Sequence, residues 1–114
     1  MTDCIFCKIV AGRGPVQIIY QDELVSAFHD HLPVAPVHVL VVPNKHIASV
    51  NDLIAEDEPL IGHLFTVAHQ LACQEGIDQS GYRLVINTGP QAGQSVDHLH
   101  LHLLGGRRLA WPPG

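Results

Sequence analysis

The chain has 114 residues, 46% hydrophobic and 15% charged, which fits one globular domain over residues 1–114 built on a single core. A formal charge of −5 excludes a broad basic surface for a nucleic-acid polymer, although a local pocket can still hold one nucleotide. No run is long enough to span a membrane, Met1-Thr2-Asp3-Cys4 lacks the parts of a secretory leader, and three cysteines do not suit a disulfide framework, so the reducing cytoplasm is the expected location.

Cys4 to Val10 is expected to form a short helix closed by Gly12 and Gly14. Gln17 to Tyr20 and Leu24 to Phe28 read as two strands of a hairpin, turning at Gln21-Asp22-Glu23. Pro33 and Pro36 mark a loop, and the β-branched run Val37 to Pro43 reads as a buried strand. His46 to Leu53 has room for a helical turn. Asp57-Glu58-Pro59 opens a long helix whose Leu60, Leu64, Val67, Ala68 and Leu71 share a face, with Gly76 as its stop. Tyr82 to Ile86 reads as a strand, residues 87–93 as a polar glycine-bearing loop, and His98 to Leu104 as the last strand. The expected class is α+β: a five-stranded, mainly antiparallel meander with one long helix and one or two short ones.

The last strand carries His98-Leu99-His100-Leu101-His102. Residues two apart on a strand share a face, so the imidazoles stand in a row while Leu99, Leu101 and Leu103 enter the core. With 9 histidines in the chain, chance supplies roughly 0.05 such triplets, which makes the pattern a signal rather than a packing accident. Neighbouring imidazoles oppose each other's protonation, keeping a neutral nitrogen available as nucleophile and acid–base group. The preceding Gly93-Gln94-Ser95 loop offers backbone N–H groups to an anion, a glutamine for phosphate oxygens and a serine to protonate a leaving group. A metal site built on the row alone lacks a carboxylate in the motif, and an idle histidine-bearing edge strand leaves the loop unexplained.

At these residues the chain resembles the histidine triad (HIT) superfamily, whose motif His-φ-His-φ-His-φ-φ, with φ apolar, is matched by residues 98–104. It is most similar to the Hint branch, the histidine triad nucleotide-binding proteins. Phe28-His29-Asp30, Ala35-Pro36-Val37-His38, Gly81-Tyr82-Arg83, Gly93-Gln94-Ser95-Val96 and Trp111-Pro112-Pro113-Gly114 carry that likeness. The resemblance implies a homodimer with a continuous ten-stranded sheet. It implies a purine nucleoside phosphoramidase acting on adenosine and guanosine 5′-phosphoramidates, with aminoacyl adenylates as further substrates, and needing no cofactor for catalysis.

The same resemblance assigns roles. His100 matches the nucleophile that becomes nucleotidyl-histidine; His102 matches its phosphate-contacting partner; His98 supports the strand; His38 is an additional active-site histidine. Asp30 matches the carboxylate that takes the ribose hydroxyls, with His31 beside it where an aliphatic residue is usual. Asn87, Gly93, Gln94 and Ser95 match phosphate contacts, and Trp111 a tail residue reaching the neighbouring protomer's site. Read alone, Asp30 and Asn87 are also ordinary turn residues, His38 a core histidine and Trp111 a surface cover. Asp97 replaces a common aromatic, and Pro59 is tolerable only in a helix's first turn.

Cys4-Ile5-Phe6-Cys7 is half of a tetrahedral zinc set, for which His46 and His98 are the candidate partners, as in some HIT proteins with this pair. The alternative is two small hydrophobes on a short helix. A redox role does not fit, since no strand precedes the pair. Cys73 reads as core. Among other functions, hydrolysis of diadenosine polyphosphates is disfavoured by the Hint-like loop and tail. A pure nucleotide-binding role leaves the catalytic residues idle, and DNA deadenylation lacks a basic extension.

Overall fold

The computed structural model describes residues 4–114, so the reading of Met1–Asp3 lies outside the described residues. The elements are α1 (Ile5–Val10), β1 (Ile18–Gln21), β2 (Val25–His29), β3 (Val37–Pro43), α2 (Glu58–Gln74), β4 (Tyr82–Val85) and β5 (Leu101–Gly105), with single 3-10 turns at Val50–Asp52, Ala55–Asp57 and Pro90–Ala92. All five strands join one sheet in the order β1-β2-β3-β5-β4, and every neighbouring pair is antiparallel.

Two expectations are corrected. Only β1, β2 and β3 form a meander, because α2 carries the chain across one face to β4 at the far edge and β5 then returns between β3 and β4. The last strand also begins at Leu101, not His98. The Pro43 carbonyl accepts a hydrogen bond from the His98 ring at 2.9 Å, and Leu99 N–H turns to Ile47 O at 2.7 Å. His98 and His100 therefore lie in an extended lead-in, while Leu99, Leu101 and Leu103 still enter the core as alternation requires.

The two sheet faces are covered unequally. Val25, Ala27, Val39, Val41, Leu101 and Leu103 meet Leu60, Leu64, Val67, Ala68 and Leu71 of α2. The opposite face, with Phe28, Leu40 and Val42, is met by Phe6 and Ile9 of the six-residue α1 and by the partly buried Val10, Val16 and Val96, and part of it stays open. Pro59 does sit in the first turn of α2, where its missing N–H costs nothing. Beyond the last turn, Gly76 adopts φ +74°, its N–H bonds Cys73 O and Ile77 N–H bonds Ala72 O, closing a Schellman motif with Ile77 buried. Cys73 is exposed, not core. No helix among the described residues is long and apolar enough to cross a membrane.

Candidate active site

The open part of that face is a pocket of about 570 Å³, a size suited to a small ligand. One wall is apolar, from Phe6 and Ile9 of α1 and Phe28 of β2; the other bears Asp30, His31, His38, Asn87, Ser95, His100 and His102. His38 comes from β3 and His102 from β5, paired strands in which Leu40 faces His102. Phe6 stands edge-on to the rings of His98 and His100, with centroids 5.8 and 5.2 Å away. The apolar wall is what sequence reasoning missed; Phe6 and Ile9, spaced three apart on α1, were its only signal.

Hydrogen-bond partners dictate the state of each ring. His100 Nδ1 is 2.8 Å from the carbonyl of His98, so Nδ1 carries the proton and Nε2 keeps its lone pair. His38 Nδ1 accepts the N–H of Val34 at 3.1 Å, so its proton sits on Nε2. That Nε2–H donates to His102 Nδ1 at 2.9 Å, which leaves the His102 proton on Nε2. The His102 Nε2 is buried with no partner among the described residues. The triad thus presents a lone pair on His100 and an unspent donor on His102 to one pocket. Burial, reinforced by the neighbouring His100 and His38 rings, pushes the His102 pKa down to about 4. Burial also lowers His38, against the opposing pull of Asp30, and lowers His98.

Asp30 opens the loop after β2. Its Oδ1 accepts Leu32 N–H at 2.9 Å, and Oδ2 lies 3.4 Å from His38 Nε2. His31 is exposed on the rim. Other sequence-assigned residues are placed differently. The side chain of Gln94 spends both N–H donors on Ala48 O (2.7 Å) and Val96 O (3.0 Å), while its oxygen accepts Gly89 N–H. The N–H groups of Gly93 and Gln94 are likewise taken, by Pro90 O and Gly89 O. Neither residue lines the pocket; they shape the loop that presents Ser95, so the expected cradle of free N–H groups is not formed by these two. Trp111 is 81% exposed and lies off the pocket wall of its own chain.

Two clusters gather metal-type ligands. At the first, Cys4 Sγ and Cys7 Sγ lie 3.3 and 3.6 Å from His98 Nδ1, Cys7 Sγ lies 3.4 Å from His46 Nδ1, and the two Nδ1 atoms are 3.2 Å apart. Zinc bonds of about 2.3 Å to sulfur and about 2.0 Å to nitrogen need tetrahedral edges of roughly 3.3 to 3.6 Å, so the donor set fits. His98 Nε2–H is held by Pro43 O, which turns the Nδ1 lone pair toward the thiols. At the second cluster, Asp30 supplies the carboxylate that the motif alone lacks, beside His38 and His102. A metal does not fit there. It would drive the His38 proton onto Nδ1, against the N–H of Val34.

This sheet, with three histidines converging on a pocket beside a Gly-Gln-Ser loop, defines a histidine triad domain. The HIT domain family model matches residues 12–109, and the chain belongs to that family. It is 51% identical to the purine nucleoside phosphoramidase of Escherichia coli K12 over 107 residues, 94% of this chain and 90% of the relative. A HIT-like protein of Synechococcus elongatus, uncharacterized, is 54% identical over 98% of this chain and 97% of its own length. The crystal structure of a HIT family hydrolase from Legionella pneumophila superposes with a TM-score of 0.96 at 46% identity, covering 98% of this chain and all of the other.

Proposed function

We propose that the protein is a purine nucleoside phosphoramidase, hydrolysing the P–N bond of adenosine and guanosine 5′-phosphoramidates. The observation that carries this reading is the pairing of a lone pair on His100 Nε2 with a buried, unspent N–H on His102 Nε2. His100 Nε2 attacks the α-phosphorus and the P–N bond breaks; the amine leaves with a proton that the Ser95 hydroxyl passes on from solvent water, and the later hydrolysis returns a proton to solvent. Water then cleaves the nucleotidyl-histidine and releases the nucleoside monophosphate. His102 donates to a phosphate oxygen, where its hydrogen bond strengthens as charge builds. Dividing the substitution into two steps is what a histidine nucleophile offers. The base lies against Phe6, Ile9 and Phe28, and Asp30 takes the ribose hydroxyls, with His31 at the rim. Asn87 contacts phosphate from the pocket wall.

Structural zinc at Cys4, Cys7, His46 and His98 belongs to the same reading. Zinc would tie α1, and with it the apolar wall, to the triad's first histidine; no catalytic step uses it. A homodimer pairing the β4 edges, with Trp111 completing the partner's pocket, extends it further; β4 is the edge of the sheet and has no strand beyond it among the described residues. Cys4, Cys7 and Cys73 form no disulfide among the described residues, which accords with a cytoplasmic setting.

The test is AMP release from adenosine 5′-phosphoramidate. Native protein releases AMP and His100→Ala falls by about 10³-fold or more with an unchanged circular dichroism spectrum. Equal activity in the variant sinks the mechanism. AMP binding without turnover by either would favour a nucleotide-binding protein.

A further inference from the structure

The loop between β2 and β3 carries Asp30 and His31 to the pocket, and between them and Ala35-Pro36 it holds the peptide group that decides the state of the triad. Val34 N–H points at His38 Nδ1 from 3.1 Å, and Val34 O accepts a hydrogen bond from the Arg107 guanidinium at 2.9 Å. Arg107 follows β5 directly. It comes over the loop because Gly106 has no side chain: a Cβ there would stand 2.8 Å from Pro36 Cβ, and its φ of +91° suits only glycine. Val34 is therefore held on both sides of its Cα: the carbonyl of one peptide group by Arg107, and the N–H of the preceding one by His38.

We propose that Val34 and Arg107 are positioning residues that fix the tautomers of the His38–His102 pair, so that His102 offers an N–H rather than a lone pair to the substrate phosphate.

The argument is one of hydrogen-bond parity. His38 is buried, so water cannot stand in for a missing partner. With Val34 N–H at Nδ1, the His38 proton must occupy Nε2, His102 Nδ1 must accept, and His102 Nε2 must carry its proton outward. Were the His38 proton on Nδ1, it would face the Val34 N–H donor to donor and that bond would be lost, while the bond between His38 Nε2 and His102 Nδ1 would reverse. His102 Nε2 would then face the phosphate with a lone pair, replacing attraction by repulsion. Asp30 Oδ2, 3.4 Å from His38 Nε2, favours the same tautomer from the other side, so the Val34 contact and the Asp30 contact must be separated by experiment. The proposal rests on the phosphoramidase reading only for where the phosphate sits; the tautomers are properties of the free protein.

The experiment labels histidine with ¹⁵N and reads the protonated nitrogen of His38 and His102 in native protein, Arg107→Ala, Arg107→Lys, Val34→Pro and Asp30→Asn, alongside kcat and KM for adenosine 5′-phosphoramidate. Native protein is expected to carry both protons on Nε2. Val34→Pro removes the N–H, mixes the tautomers and lowers kcat about a hundredfold; Arg107→Ala mixes them partly and lowers kcat about tenfold with KM little changed; Arg107→Lys, which keeps one donor, recovers most of the loss. If Val34→Pro does not fold, the two Arg107 variants decide. A His102 proton on Nδ1 in native protein overturns the proposal whatever the activity. So does an unmixed tautomer in Arg107→Ala and Val34→Pro, and so does mixing confined to Asp30→Asn. The expected tautomers in a protein that releases no AMP would instead sink the phosphoramidase reading and leave this assignment standing.

Discussion

A single amide shows how a residue's type can be legible while its task is not. Gln94 reads from sequence as a phosphate ligand because it stands between Gly93 and Ser95, yet it ties three backbone groups from Ala48, Gly89 and Val96. Losing those three bonds in Gln94→Ala should cost about 1.5–4.5 kcal/mol, since each is worth roughly 0.5–1.5 kcal/mol. Gln94→Glu should be worse, because a carboxylate keeps the contact to Gly89 N–H but sets negative charge against two carbonyl oxygens. Urea denaturation of the three proteins checks that order, and a Glu variant as stable as native would refute this role. The triad's chemistry was legible because imidazole spacing survives in any extended backbone, ladder or not. The contact between Asp30 and His38 was not, since it joins the end of β2 to a β3 side chain across a proline-bearing loop, and periodicity carries no information about such pairings.

At the scale of elements, the helices differ in how they earn their stability. Helix α2 buries a full apolar face and closes with a Schellman motif, so its pattern of Leu60, Leu64, Val67, Ala68 and Leu71 made it readable. Leu64→Ala, at a fully buried site, should cost about 2–5 kcal/mol in denaturant unfolding. Helix α1 has six residues, too few to persist alone, and stands on Phe6, Ile9 and the two cysteines at its start. On the zinc reading proposed above, stripping the metal with a strong chelator should therefore loosen α1 before the sheet. Hydrogen exchange should rise first in residues 5–10, and KM for the phosphoramidate should rise more than kcat falls, since Phe6 and Ile9 form the apolar wall while His100 and His102 belong to the sheet side. Uniform exchange across α1 and β3 would show that the metal holds the whole domain. The sheet order was the part sequence could not supply: strand existence follows from alternation, but the insertion of β5 between β3 and β4 depends on where α2 delivers the chain.

For the whole molecule, acid is the informative stress, because His38, His98 and His102 all shift the same way. Burial holds His38, His98 and His102 below the ordinary histidine pKa, His102 at about 4, so His102 is neutral in the fold at pH 6, and all three hold fewer protons there than in the unfolded chain. The unfolded state binds more protons, and stability must fall as pH drops through the unfolded value near 6.5 toward 4. Carboxylates work in the same direction, but lower. Against the cost of burial, His63, Tyr20 and the N–H groups of Val25 and Leu24 hold the Asp22 carboxyl well below its usual range. Lys45 lowers Asp57, helped by Ile54 N–H. Their contributions are lost only as pH falls through the carboxylate range. Between pH 7 and pH 5 the histidines therefore dominate, and the urea midpoint should decline across that window. His102→Gln, which has no charge to acquire, should show a shallower decline than native protein. A midpoint that stays flat from pH 7 to pH 5 would mean that the folded and unfolded chains take up protons alike, and that burial does not hold the His38 and His102 rings neutral in this site.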